Sequence, residues 1–290
     1  MAKALITLTP THSKKFIAMA VSRMEVVRKA FREGMIVLHP SSSTYFIVEE
    51  LIGEKPPTNY WVCGMIVPKG LCLEMGVKFP SRFVSPSPEA SIIRGPEEFD
   101  RSWAIKGGKL FTGIKLKQLI EEMGKGDVYI KGPNALSPQG KVGVLIGNAI
   151  EGGTIGRVMT GMKRRGYEVI FPTGLEKLIP TPIEEAAKEA KKSGYKYSLG
   201  ITCGLLPCEG TVITEIEAFK ILSGCRAIPV AAGGLGGGEG STILVVEGED
   251  AKLEQAMNYV KLAKEAKLPE VRAFHCSDCP VSICPGIRMP

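Results

Sequence analysis

The chain has 290 residues, 44% hydrophobic and 23% charged, which excludes a disordered polymer and leaves room for two domains of ordinary size. Its longest apolar runs, such as Val142-Gly143-Val144-Leu145-Ile146, fall far short of the roughly 18 residues a membrane span needs, and the opening MAKALITLTPTHSKKF lacks the apolar core of a secretory signal. Net charge is +7, yet residues 195–290 hold 9 Lys+Arg against 11 Asp+Glu and the first 194 hold 28 against 19, so the basic excess sits early and suits an anionic small molecule. No Lys/Arg cluster interleaved with aromatics occurs, which disfavours nucleic acid. A cytoplasmic protein without a membrane partner is expected, with an oligomer left open.

In chain order, Ala4 to Leu8 reads as a short strand. Phe16, Ala20, Met24, Val27 and Phe31 are spaced three or four apart and predict one amphipathic helix stopped by Gly34. Met35 to Leu38 is a buried strand, followed by the polar turn His39 to Thr44 and a helix from Tyr45 to Ile52. Trp61 to Val67 is a further strand. Residues 68–113 carry scattered Pro and Gly and are expected as loops and short strands, with room for an antiparallel flap. Alternation then resumes: helix Leu116 to Met123, strand Val128 to Lys131, strand Val142 to Ile146, helix Ile155 to Arg165, strand Glu168 to Phe171 and helix Ile183 to Lys192. This pattern predicts an α/β domain over residues 1–194, a mostly parallel sheet covered by helices.

Ser193-Gly194 marks the expected boundary. Beyond it come strand Tyr197 to Thr202, helix Ile213 to Leu222, strand Ile228 to Ala232, strand Thr242 to Glu247, helix Ala251 to Ala266 and strand Val271 to Phe274. That β-α-β-β-α-β order predicts a smaller ferredoxin-like α+β domain over 195–275, with a cysteine-rich tail over 276–290.

Ligands of a parallel sheet bind beyond the strand carboxyl ends, where helix N-termini offer backbone N–H groups. Ser41, Ser42, Ser43 and Thr44 lie between a strand and a helix, and four hydroxyls in a row exceed what one helix cap needs. Lys131 and Asn134 follow another strand, while Gly152, Gly153 and Thr154 open the next helix; these are further anion contacts. Glu176-Lys177 reads as a general acid/base pair, against the plainer reading of a solvated loop. The run Gly233 to Gly240 fails the dinucleotide pattern, since Glu239 stands at its third glycine and a strand follows; it reads as a flexible hairpin.

The segment Arg32-Glu33-Gly34-Met35-Ile36-Val37-Leu38, then Ser-Ser-Ser-Thr and Val48-Glu49-Glu50-Leu51, resembles the opening of the superfamily of ribose-5-phosphate isomerase, glucosamine-6-phosphate deaminase and the CoA-transferases. The likeness continues through Gly126 to Gly132, and Val169 to Pro180 resembles the lactate-utilisation branch; together these cover roughly residues 20–190. The resemblance implies a phosphorylated-sugar or CoA-type ligand and isomerase- or transferase-type chemistry. It also has departures. The isomerase's acidic stretch is missing, with Lys131-Gly132-Pro133-Asn134 standing there instead. Glu151, ahead of Gly152-Gly153-Thr154, resembles the setting of a CoA-transferase nucleophile, though a first-turn carboxylate that favours the helix dipole would look the same.

Six of eight cysteines follow residue 200, and Cys276, Cys279 and Cys284 stand at C-x2-C-x4-C spacing, the density of a metal site. An iron–sulfur cluster or zinc is expected there, with His275, Cys203, Cys208 or Cys225 as a fourth ligand, or none. Cys63 and Cys72 read as core residues. Two functions follow: a metabolite-binding domain with isomerase- or transferase-type chemistry, or a non-catalytic sensor or accessory subunit of a redox system.

Overall fold

The computed structural model describes residues 1–57, 62–63, 66–67, 70–71, 74–75, 101–146, 152–191 and 195–269. Strand β1 (Ala2–Leu8) leads into helix α1 (Pro10–Val21), where Thr9 accepts a hydrogen bond from the His12 backbone and Pro10 occupies the first turn. The helix expected to run on to Gly34 ends early. The Ser22 hydroxyl and the Arg23 guanidinium both donate to the Met19 carbonyl, 3.0 and 2.7 Å away, so side chains take over the role of the next turn. Helix α2 (Glu25–Glu33) then starts afresh. Phe16 through Val21 are all buried, because α1 is packed on all sides rather than lying on a surface.

The central sheet contains β2 (Met35–Leu38), β7 (Arg101–Lys106), β8 (Lys109–Lys115), β9 (Val128–Ile130), β12 (Glu168–Pro172) and β14 (Thr211–Ile213), in the order β14-β12-β9-β2-β7-β8. The first four of that order are mutually parallel, and β7 and β8 add an antiparallel edge, so the sheet is mixed. The β7–β8 hairpin lies inside the stretch expected as loops. Its two-residue turn, Gly107-Gly108, has φ of 53° and 72°, the left-handed pair that a tight hairpin requires. Four short strands, β3 (Val62–Cys63), β4 (Ile66–Val67), β5 (Gly70–Leu71) and β6 (Glu74–Met75), form the antiparallel pairs β3–β6 and β4–β5.

Helix α3 (Ser42–Ile52) packs with α1 and α2 on one face of the sheet, against Ile36, Leu38, Val128, Ile130 and Ile170. The other face, with Val37, Tyr129, Val169 and Phe171, is covered by α4 (Leu116–Glu122) and α5 (Gly153–Arg165). The alternation of these residues is the period of two that a doubly covered sheet imposes. The strand expected at Val142 to Ile146 exists as β11 (Val142–Ile146), but it belongs to a separate antiparallel sheet with β10 (Ala135–Leu136) and β13 (Gly204–Cys208), covered by α6 (Ile183–Ala190).

The sheets do not divide at residue 194. Tyr197 to Thr202 makes no strand: only Gly200, at φ 88°, bridges to Leu71. Ile213, expected in a helix, ends β14 in the central sheet, and α7 (Glu215–Ser223) begins two residues later. The hairpin β15 (Arg226–Gly233) and β16 (Ser241–Gly248) completes its own sheet with β1 from the N-terminus, in the order β1-β16-β15. Together with α8 (Asp250–Lys264), this sheet shares one continuous core with the central sheet through α1. Burial explains the correction, since an apolar α1 needs surfaces on both sides and the second lies on the C-terminal elements. No helix among the described residues is long and apolar enough to cross a membrane.

Candidate functional site

Beyond the carboxyl ends of the four parallel strands the chain turns into Ser41–Thr44 after β2, Lys131–Gly132 after β9, Thr173–Lys177 after β12 and Thr214–Glu215 after β14. Three of these turns supply a polar cluster under the N-terminus of α1. Lys177, in a single 3-10 turn, places its Nζ 3.2 Å from the Ser43 hydroxyl. Gly132 lies directly beneath: a Cβ there would come within 2.4 Å of Ser43 Oγ and 3.5 Å of Lys177 Nζ. The absence of a side chain at residue 132 therefore permits the contact.

Two carboxylates stand near Lys177, and neither pairs with it. Glu215, the first residue of α7, is fully buried and accepts from the Leu175 backbone N–H at 3.0 and 3.2 Å and from Ser13 of α1. Glu176 folds back on Gly174, where a Cβ would lie 1.8 Å from its Oε2, and that buried oxygen has no hydrogen-bond partner. Burial, reinforced by the Glu176 charge, pushes Glu215 up to about 7. Burial likewise pulls Lys177 down to about 8, with Lys14 assisting and the two glutamates opposing. A carboxyl and an amine that both exchange protons near neutrality thus share one site.

The surroundings hold this arrangement. Lys15 of α1 binds Glu49 and Glu50 of α3, each at 2.7 Å, fixing the helix that carries Ser13 and Lys14 against the helix that carries Ser43. From the opposite side the glycine-rich connection between β15 and β16 arrives at Gly240, where a Cβ would meet Pro10 at 3.0 Å and Glu176 at 3.7 Å. The expected flexible hairpin is thus the connection that lies over the site.

Not every expected residue joins the cluster. Ser41 and Thr44 are used in a capping box: Thr44 Oγ1 accepts from the Ser41 backbone N–H at 3.1 Å and donates to the His39 carbonyl. Ser42 is half-buried at the helix start. The Asn134 carbonyl oxygen accepts from Leu145 N–H at 2.9 Å, tying the residue ahead of β10 to β11, a structural task. Lys131 continues the alternation of β9 on the Tyr129 side and acts electrostatically on Cys208, away from Ser43. Gly152 and Gly153, both left-handed at φ 70° and 64°, and Thr154 start α5 on that same face. Glu151, Cys276, Cys279, Cys284, His275 and Cys72 lie outside the described residues. Among the described residues no group of three or more metal-ligating side chains comes together; Cys225 is buried beneath Gly248, and burial pushes the Cys208 thiol up to about 12.

No protein-family model matches the chain, and neither a curated protein nor a solved structure does. Reading the sequence missed Glu215 and Ser13. Glu215 has the helix-start signal of Thr214 and Glu217 around it, which by itself implies capping alone.

Proposed function

We propose that the protein binds a small anionic metabolite, a phosphorylated sugar or a CoA-type ester, at the carboxyl ends of β2, β9, β12 and β14, and that Lys177, Glu176 and Glu215 give the site isomerase- or transferase-type proton transfer. The observation that carries this reading is Lys177, whose Nζ meets the Ser43 hydroxyl and no carboxylate. A half-buried cation held this way attracts an anion, and the start of α3 beside it adds the backbone N–H groups of a helix N-terminus. Glu215 and Lys177 near neutrality supply an acid and a base without large energetic cost at either step. The resemblance of Arg32 to Leu51 and Val169 to Pro180 to the isomerase and CoA-transferase superfamily supports the same ligand classes.

Titration with inorganic phosphate and with a set of sugar phosphates tests the reading. Ser43→Ala and Lys177→Met are each expected to weaken binding roughly tenfold, about 1.4 kcal/mol, with the fold retained. Unchanged affinity in both variants removes the site. A second reading rests on the tail, whose C-x2-C-x4-C spacing suits an iron–sulfur cluster or zinc on Cys276, Cys279 and Cys284 in an accessory subunit of a redox system. Iron and zinc analysis of anaerobically prepared protein tests it; metal-free protein retires it. The finer architectural proposal is that β15, β16 and α8 form a ferredoxin-like unit whose central strand is β16, with β1 from the N-terminus at its edge.

A further inference from the structure

Two half-buried lysines at opposite ends of α3 are treated differently. Lys15 has two carboxylates at 2.7 Å. Lys177 has two carboxylates close enough to act on its charge, yet among the described residues it forms no ion pair. Glu215 is occupied by Leu175 N–H and Ser13, and Glu176 is folded onto Gly174. A buried amine denied its counter-ion favours its neutral, nucleophilic form. Among the described residues its hydrogen-bond partner is a hydroxyl, which can accept from an ammonium or donate to a free amine. Gly132 removes the side chain that would otherwise cover the approach.

We propose that Lys177 is an amine nucleophile that forms an imine with the carbonyl of a small aldehyde or ketone bearing an anionic group, an inference that rests on the anion-site reading and goes beyond its proton transfer. The Lys177 nitrogen bonds to the carbonyl carbon, giving a carbinolamine as one amine proton moves to the oxygen. The protonated carboxyl of Glu215 then gives its proton to that hydroxyl, which leaves as water. The products are the iminium on Lys177, the Glu215 carboxylate and one water, so atoms and charge balance with no oxidant or reductant. A cationic iminium beside two carboxylates is stabilised where the free ammonium was not paired, and Glu176 is placed to move a proton at the adjacent carbon.

The test is trapping in the full-length protein. Glycolaldehyde phosphate is added with cyanoborohydride at about neutral pH, and the labelled lysines are mapped by peptide mass spectrometry. Lys177 is expected to carry roughly ten times or more the adduct found on the exposed Lys252, and excess inorganic phosphate is expected to suppress that preference. Lys177→Arg keeps the charge and is expected to lose the adduct; should that variant not fold, the wild-type map alone decides. Labelling of Lys177 at or below the level of Lys252 overturns the imine. Calorimetry with inorganic phosphate on the same preparation separates the two readings: phosphate binding with no preferential label sinks the imine alone, and loss of both sinks the anion site as well.

Discussion

The two ends of the parallel strands handle carboxylates in opposite ways. At the amino end, Asp127 precedes β9 and accepts from Met35 N–H at 2.7 Å and from Gly124 N–H at 2.8 Å, tying β2 to the turn before β9. Gly34 is fitted to it, since a Cβ there would lie 2.7 Å from Asp127 Oδ1. At the carboxyl end, among the described residues, Glu176 has a buried oxygen with no partner, Glu215 is buried whole and Lys177 meets a hydroxyl but forms no ion pair. The same sheet therefore keeps a hydrogen-bonded carboxylate at one end and buried, incompletely paired charges at the other.

The largest expected consequence is an unusual stability profile with pH. Glu215 titrates near 7 in the folded chain against an ordinary 4.5, so across that interval the folded protein holds a proton that the unfolded chain has released. Its contribution is greatest below 4.5 and is lost as pH rises through 7, a fall of about 3 kcal/mol. Lys177 works in the other direction: its folded value near 8 lies below 10.5, so stability recovers as pH rises between those values. These two groups together predict a stability minimum between about pH 7 and 8 in denaturant melts, where most proteins are at or near their best. Glu215→Gln keeps an acceptor for Leu175 N–H and is expected to flatten the acid side. If the variant and the parent show the same slope there, Glu215 is not the buried acid.

At the satisfied end the expected effect is smaller and independent of ligand. Asp127→Ala leaves two backbone N–H groups without their acceptor and is expected to cost about 2 kcal/mol in urea melts. Phosphate affinity should not move. A loss of affinity comparable to that of Lys177→Met would mean that the two ends are coupled and that the contrast between them is overstated.

Much of this was legible in the sequence, for identifiable reasons. The strands Met35–Leu38, Val128–Ile130 and Glu168–Pro172 are short apolar runs bounded by turn residues, and the helices at residues 42 and 183 carry clear start signals, the serine run and Pro182. Ser43 stands out in the sequence as one of four hydroxyls between a strand and a helix, and Glu176-Lys177 as an adjacent acid/base pair. What failed was pairing at long range. Nothing local in Ala2–Leu8 says that it pairs with Gly248 to Thr242, and Thr211–Ile213 is too short to be distinguished from the start of α7. Glu215 was missed for the same reason, because its neighbours Leu175 and Ser13 lie 40 and about 200 residues away in the chain. The Gly107-Gly108 turn, by contrast, was a readable signal inside a stretch whose other residues obscured it.

The comparison can also be drawn between the two faces of the sheet, at the smaller scale of single lysines. Lys177 and Lys131 both follow parallel strands; the sequence marks Lys131 as an anion contact and Lys177 as half of an acid/base pair with Glu176. They emerge on different sides: Lys177 meets Ser43 beneath α1, and Lys131 keeps the parity of Tyr129 and is felt by Cys208. Lys177→Met is expected to raise stability by about 1 kcal/mol at neutral pH, after allowance for its partial exposure, because a buried ammonium without a counter-ion is removed. The same change should weaken phosphate binding roughly tenfold, the usual sign of a residue kept for function at the expense of stability. Lys131→Met should leave phosphate affinity within about twofold, because charge alone, at a strand end on the other face of a packed sheet, does not reach the ligand. If the two substitutions weaken binding equally, the anion spans the sheet edge and the site is larger than the Ser43–Lys177 contact. If only Lys177 matters, the face on which a lysine emerges, set by one residue of strand register, decides which of two similar sequence signals is functional.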